Sequence, residues 1–262
     1  MGNCPPGVGA WSLYYPRRIC ASPCPHSVWK TAAMSHTDAL ARLWPASALS
    51  VRSGDLELRW IDDELLVQLA ELAGRGIHDP EAMPFEHPWS RGTPDEVARS
   101  VLAFQWGIRN RVSPDAFTLE FAVLHDGAVV GVQGLTADEW AVLRRVTTGS
   151  WLGRGHQGRG IGTRMRMLAL HLAFEGLGAR EATSGAFVDN GPSNAVSRRV
   201  GYAPDGAFHV AREGVAVLHN RFAMSRERWE TLRGDHAAAL GAPIEMHGVE
   251  AFRAAIGATV DS

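Results

Sequence analysis

Five glycines fall within ten residues in the run Gly153-Arg154-Gly155-His156-Gln157-Gly158-Arg159-Gly160-Ile161-Gly162, and a third arginine, Arg164, follows just beyond. Glycine lets the backbone turn sharply and lets amide N–H groups approach a ligand, while a helix N-terminus adds a partial positive charge. The run lies between a strand-like segment and an amphipathic helix, so its chemistry is that of an anion site, most naturally for phosphate or pyrophosphate. Gly153, Gly155 and Gly158 also satisfy G-x-G-x-x-G, which keeps a nicotinamide-dependent oxidoreductase open. That fingerprint belongs to a βαβ unit with an acidic residue about 20 positions on, and Glu175 and Glu181 fit the spacing only loosely. A Walker loop is excluded, because the sole lysine is Lys30. His156 lies inside the loop, where contact with a bound anion or solvent suits it better than the role of a base. Cys20, Cys24 and His26 lack the second half of a zinc motif, so no metal is expected.

The elements around this run follow from its flanks. Leu56, Leu58 and Trp60 alternate with polar residues as a strand, and Asp62 caps a helix carrying Leu65, Leu66, Leu69 and Leu72. A proline-broken, aromatic stretch from Gly76 to Thr93 holds His78, Glu86, His87 and Trp89, the composition of a functional loop. Thr93, Pro94 and Glu96 form a capping-box start for a helix to about Asn110. Phe117–His125, the turn Asp126-Gly127, Ala128–Leu135 and about Ala141–Leu152 read as an antiparallel meander. Ile161, Met165, Leu168 and Leu172 then share one helical face ending near Gly178. A strand from Glu181 to Val188, a short helix from Pro192 to Val200 and a hairpin, Phe208–Arg212 with Val215–Met224, complete one mixed α/β domain. Trp106 and Trp140 read as core residues.

The chain has 262 residues and a mass of 28.4 kDa, with 45% hydrophobic and 21% charged residues, which excludes wholesale disorder and fibrous repeats. A net charge of −2 argues against phosphate neutralisation as the main work, so no nucleic-acid partner is expected. No apolar run reaches the roughly 18 residues of a membrane span. All three cysteines lie in the first 24 residues, which fits a reducing, cytoplasmic setting. Residues 1–50 read as a disordered extension, rich in proline to about residue 33 and with Met34 as an alternative start. Residues 51–230 read as the catalytic domain, and 231–262 as a C-terminal tail packing on it.

Gln157-Gly158-Arg159-Gly160-Ile161-Gly162 resembles the Q/R-x-x-G-x-G/A pyrophosphate signature of the GCN5-related N-acetyltransferase (GNAT) superfamily. Asn190, Ser193, Gly201 and Tyr202 match that family's N-x-x-S followed by a glycine–aromatic pair, in the same order and separated by a strand. The resemblance spans roughly Leu56 to Ser225. Gly149-Ser150-Trp151-Leu152 and Ser193-Asn194 are most similar to the branch of ribosomal-protein N-terminal acetyltransferases.

The resemblance implies an α/β (α+β) fold, a mostly antiparallel sheet flanked by helices with a splayed strand pair holding acyl-CoA. It places the pantetheine against Trp151, Leu152 and Gly153, and the pyrophosphate on Gln157, Gly158, Arg159, Gly160, Ile161, Gly162 and Thr163. Asn190 and Ser193 reach the pantetheine arm, and a backbone N–H near Leu152 polarises the thioester carbonyl. The reaction is direct attack of an amine on acetyl-CoA, with Ser193 or Tyr202 protonating the leaving thiolate and Ser193 ranked first. A lysine acceptor is neutral in about one molecule in 2,500 at pH 7 and an α-amine in roughly one in ten, so lysine needs a base far more. Relatives carry a glutamate on the strand before the loop, where this chain has Arg144 and Arg145. Glu86, His87 and Trp89 fall in the loop that this fold sets beside the acceptor. A succinyl-type donor stays open on Arg111, Arg144 and Arg145, as does a non-catalytic CoA-binding module. The amine acceptor (a protein N-terminus, a lysine or a small molecule) and homo-oligomer formation are left open.

Overall fold

A computed structural model describes residues 35–258 of the chain. The proline-rich segment and Met34 lie outside the described residues. The first elements depart from the expectation for residues 1–50. Ser35 caps α1 (His36–Leu43), a 3-10 turn covers Pro45–Ala48, and β1 (Ser50–Ser53) follows, because Ala46, Leu49 and Val51 are all buried apolar anchors.

Next come β2 (Leu56–Trp60), α2 (Asp63–Gly74) and α3 (Pro94–Ile108). The Thr93–Glu96 capping box forms as its sequence dictates, with each residue's side chain bonded to the other's backbone amide. The hairpin β3 (Phe117–His125) and β4 (Ala128–Ala137) leads into α4 (Trp140–Leu143) and β5 (Arg145–Leu152). The strand expected from Ala141 therefore starts four residues later. Glu139 and Arg144 take left-handed backbone angles (φ 51° and 49°) that bracket one helical turn and bury Trp140.

The remaining elements are α5 (Ile161–His171) with a π-turn over Leu172–Gly176, β6 (Glu181–Phe187), α6 (Gly191–Arg199), β7 (Ala203–Arg212), β8 (Val215–Ser225), α7 (Arg226–Leu240), β9 (Glu245–His247) and α8 (Val249–Ala255). No helix among the described residues is long and apolar enough to cross a membrane.

The nine strands form one sheet in the order β7-β8-β6-β5-β4-β3-β2-β1-β9, antiparallel throughout except at β5–β6. On one face α5 packs through Ile161, Met165, Leu168 and Leu172 against a core that includes Phe121, Val146, Trp140, Trp229 and Phe252. On the other, α2 and α3 cover Ala122, Leu124 and Val132 with Leu65, Leu66, Leu69, Val97 and Val101. Trp140 is wholly buried as expected, whereas Trp106 is 58% exposed on the outer side of α3.

Residues 231–258 are more than a tail. β9 adds a strand beside β1, and the fully buried Phe252 meets Phe117 edge-on at 5.6 Å. Phe252→Ala should cost about 3–5 kcal/mol, the range for emptying a buried aromatic site. The check is a lower urea midpoint at unchanged slope, and a midpoint equal to wild type would separate this segment from the core.

Candidate active site

β5 and β6 pair over only four residue pairs, Arg145↔Glu181 to Thr148↔Ser184. Beyond them β5 keeps β4 as its partner to Leu152, and β6 keeps β8 to Phe187, so the two strands part in a V that opens toward their C-terminal ends. The Gly153 amide bonds Val130 O at 3.0 Å. In an antiparallel ladder successive residues alternate sides, so the amides of Leu152 and Ser150 turn into the V. An edge of unpaired backbone like this accepts an extended ligand as another strand would be accepted.

The mouth of the V carries the glycine-rich loop. Gly158 and Gly160 take left-handed angles (φ 72° and 80°) and Gly160 is the N-cap of α5. Among the described residues, no backbone amide from Gly158 to Gly162 donates to a carbonyl, while Gln157, Thr163 and Arg164 donate to Arg154, Gly160 and Gly160. Five successive unpaired N–H groups at a helix start fit a diphosphate. Gln157 differs from its expected role as a phosphate contact. Its amide is taken, and its side chain donates to Ile77 O (2.6 Å) and Leu152 O (2.8 Å), pinning the loop to the strand end. Thr163's amide is also taken, and the Ile161 side chain is core, leaving only its amide to the site. Arg164 is drawn away to Asp55, which it holds down to a pKa of about 2, whereas Arg159 stands exposed beside the loop.

Asn190 and Ser193 flank the opposite bank. Asn190 Oδ1 caps α6 by accepting the Ser193 amide at 3.2 Å. Its Nδ2 and the Ser193 hydroxyl have no partner among the described residues. Tyr202 lies elsewhere than expected: it is 3% exposed, inside the core, with its hydroxyl 3.0 Å from Thr148 Oγ1. Burial raises the phenol's pKa further.

Facing α2 and α3, the sheet shows a row of glycines across β4, β5 and β6: Gly134, Gly149 and Gly185. The Glu120 carboxyl occupies the space a Cβ on Gly134 would need, and the His219 ring does the same over Gly185. A Cβ on Gly149, between them, would meet no described atom within 4 Å. Burial pushes the partly exposed Glu120 up to about 7 against an opposing hydrogen bond from Gln105. The His219 Nδ1 is buried without a partner, its Nε2 lies 3.8 Å from the Glu86 carboxylate, and desolvation pulls its pKa down.

Of the expected acceptor residues, Glu86 thus reaches the site, and so does Trp89, whose ring meets Trp151 at 6.0 Å. His87 is exposed. The hairpin β7–β8 holds this loop down: Arg212 donates to Met83 O (3.0 Å) and pairs with Asp189 (2.6 Å), and Arg91 pairs with Glu213 (3.0 Å). The arginines that suggested a succinyl-type donor are occupied, Arg111 by Asp138, Arg145 by Glu181, and Arg144 over the Trp140 ring.

Sequence reasoning missed Glu120, His219 and Arg166. The last left a signal: an arginine inside the apolar run Met165-Arg166-Met167-Leu168.

A sheet opened at its one parallel junction, with bare amides at the next helix start, defines an acyl-CoA-dependent transferase. The chain belongs to the GNAT acetyltransferases: residues 55–203 match the model of the Acetyltransferase (GNAT) domain. YdaF of Bacillus subtilis (strain 168), assigned by name to the ribosomal N-acetyltransferases, is 30% identical over 173 residues, 64% of this chain and 85% of that one. The same fold recurs in Mycobacterium smegmatis RimJ in complex with CoA-disulfide (21% identity, TM-score 0.58, 74% of this chain and 93% of that one). It recurs also in RimL, a ribosomal L7/L12 alpha-N-protein acetyltransferase in complex with coenzyme A (23% identity, TM-score 0.53, 67% and 97%). The acetyl donor of this family is acetyl-CoA, and the nicotinamide reading of residues 153–158 falls away.

Proposed function

We propose that this acetyltransferase modifies the α-amine at a protein N-terminus, of the ribosomal-protein kind named for its relatives. The observation that carries the reading is the V between β5 and β6, with free amides at its mouth and an open glycine-floored strip on its acceptor face. The amides of Gly158–Gly162 hold the diphosphate, the V-facing main chain at Leu152 meets the pantetheine in place of the expected Trp151 and Gly153, whose amides turn to β4, and Asn190 and Ser193 line the facing bank. The Leu152 or Ser150 amide polarises the thioester oxygen as negative charge develops there. Thr147, Gly149 and Thr183 floor a strip between Trp89 and Glu86 that suits an extended chain end, closed at Gly185 by the His219 ring.

Glu120 is the general base. Its backbone is two strands from Gly149, but its carboxyl leans over Gly134, one strand spacing, about 4.8 Å, from Gly149, close enough for a water over Gly149 to pass the amine's proton to it. His219 is the weaker choice, because its Nδ1 is turned into the protein against Gly185 and only Nε2, 3.8 Å from Glu86, is left toward the loop. A carboxyl near pKa 7 is matched to an α-amine, which is already partly neutral at that pH, better than to a lysine.

The test is acetyl-CoA consumption with peptides that offer either a free N-terminus or a lysine behind a blocked one. The α-amine peptides should turn over at least about tenfold faster, and acetyl-lysine as the main product would overturn the reading.

A further inference from the structure

Arg166 projects from α5 beneath the point where β5 and β6 part, and is 3% exposed. Its Nε donates to Gln133 Oε1 (3.2 Å), one terminal nitrogen to Thr148 Oγ1 and Ser184 Oγ (both 2.9 Å), and the other to Ser150 Oγ (2.9 Å). Every one of these acceptors is neutral. No carboxylate among the described residues lies within ion-pair distance of Arg166, although a guanidinium stays charged in proteins and a buried charge without a counter-ion is costly. Thr148 and Ser184 are the last pair of the β5–β6 ladder, and Ser150 is the next side chain on the same face of β5. The cation therefore sits at the apex of the V, where the reactive end of a donor lying along β5 arrives.

Arginine only donates, and this fixes the direction of the network. Thr148 accepts from Arg166, gives its own proton to Thr183 O (3.0 Å), and so receives the Tyr202 proton. Tyr202 consequently has no proton for a leaving group. Ser150 accepts from Arg166 and keeps its proton, which has no acceptor among the described residues.

We propose that the missing counter-charge is the CoA sulfur: Ser150 donates a hydrogen bond to it, and Arg166 is the positioning residue that aims Ser150 and supplies the field. As the C–N bond forms, the C–S bond breaks with its electron pair going to sulfur, the amine's proton goes to the base, and the thiolate leaves hydrogen-bonded to Ser150, to be protonated by solvent after release. This inference rests on acyl-CoA lying in the V.

It is tested without an acceptor, by following the ultraviolet absorbance of the thiolate while CoA bound to the full chain is titrated with base. Bound to wild type, the thiol should ionise at least about one pH unit below free CoA, the direction seen for thiols beside arginine. Ser150→Ala and Arg166→Gln should return it to the free value, and Arg166→Lys should keep part of the shift. A wild-type thiol that ionises like free CoA, or Ser150→Ala that matches wild type, overturns the inference while CoA binding stands. Failure of wild type to bind CoA overturns the donor site as well. Ser150→Ala removes one partly exposed hydroxyl, so it decides the matter even where an Arg166 variant does not fold.

Discussion

Gly160→Asp should abolish measurable CoA binding in a calorimetric titration, while Gly160→Asn should keep most of it. The two side chains have nearly the same shape, both tolerate left-handed backbone, and a Cβ at Gly160 meets no described atom within 4 Å. Backbone strain at φ 80° is thus common to both variants and cancels in the comparison. Charge is what differs. A carboxylate about 4 Å from a phosphate, at the effective dielectric of a protein surface, is opposed by about 4 kcal/mol, close to a thousandfold in affinity. Equal affinities for the two variants would mean that the amides of residues 158–162 do not hold an anion.

Glu120→Gln should give a less active but more stable protein, a pairing that separates a base from a scaffold residue. Loss of a general base lowers kcat by about 10²–10⁴-fold. Wild-type activity climbs as pH rises through about 7, where Glu120 ionises, and the glutamine variant loses that limb of the profile. The stability sign follows from the same shift. The folded state raises the carboxyl from 4.5 to about 7, so it favours the protonated form. That contribution is whole below about pH 4.5 and is lost as pH rises through 7. Glutamine never ionises, so the variant should match wild type near pH 4 and exceed it at pH 8 by up to about 3 kcal/mol. Thermal melts at the two pH values check this, and a variant that loses stability at pH 8 without losing the pH limb would return Glu120 to a structural role.

The donor side of the site was legible in sequence because its signals are local. Glycine spacing before an amphipathic helix, and Asn190 three residues before Ser193, specify a turn and a cap whatever the rest of the chain does. The acceptor side was not. Glu120 reads as an ordinary polar position on a half-buried strand, and only the register Glu120↔Gly134↔Gly149 places its carboxyl next to open space. His219 likewise matters through its lean over Gly185. For Tyr202 the sequence leaves packing beside Gly201 as good a reading as protonation of the thiolate, because a glycine–aromatic pair gives no hint whether the ring faces the cleft or the core. Residues 35–50 and 231–258 escaped because their anchors, Ala46, Leu49 and Phe252, are sparse, and β9 has three residues that gain meaning only beside β1.

Four parallel residue pairs, continued by the Arg180 amide on Arg144 O, join a six-strand bank, β9 to β5, to a three-strand bank, β6, β8 and β7. Arg166, bonded to Thr148 on one bank and Ser184 on the other, and Arg212, bonded to Met83 O, fasten the two banks across the slot, so widening it would break these bonds as well.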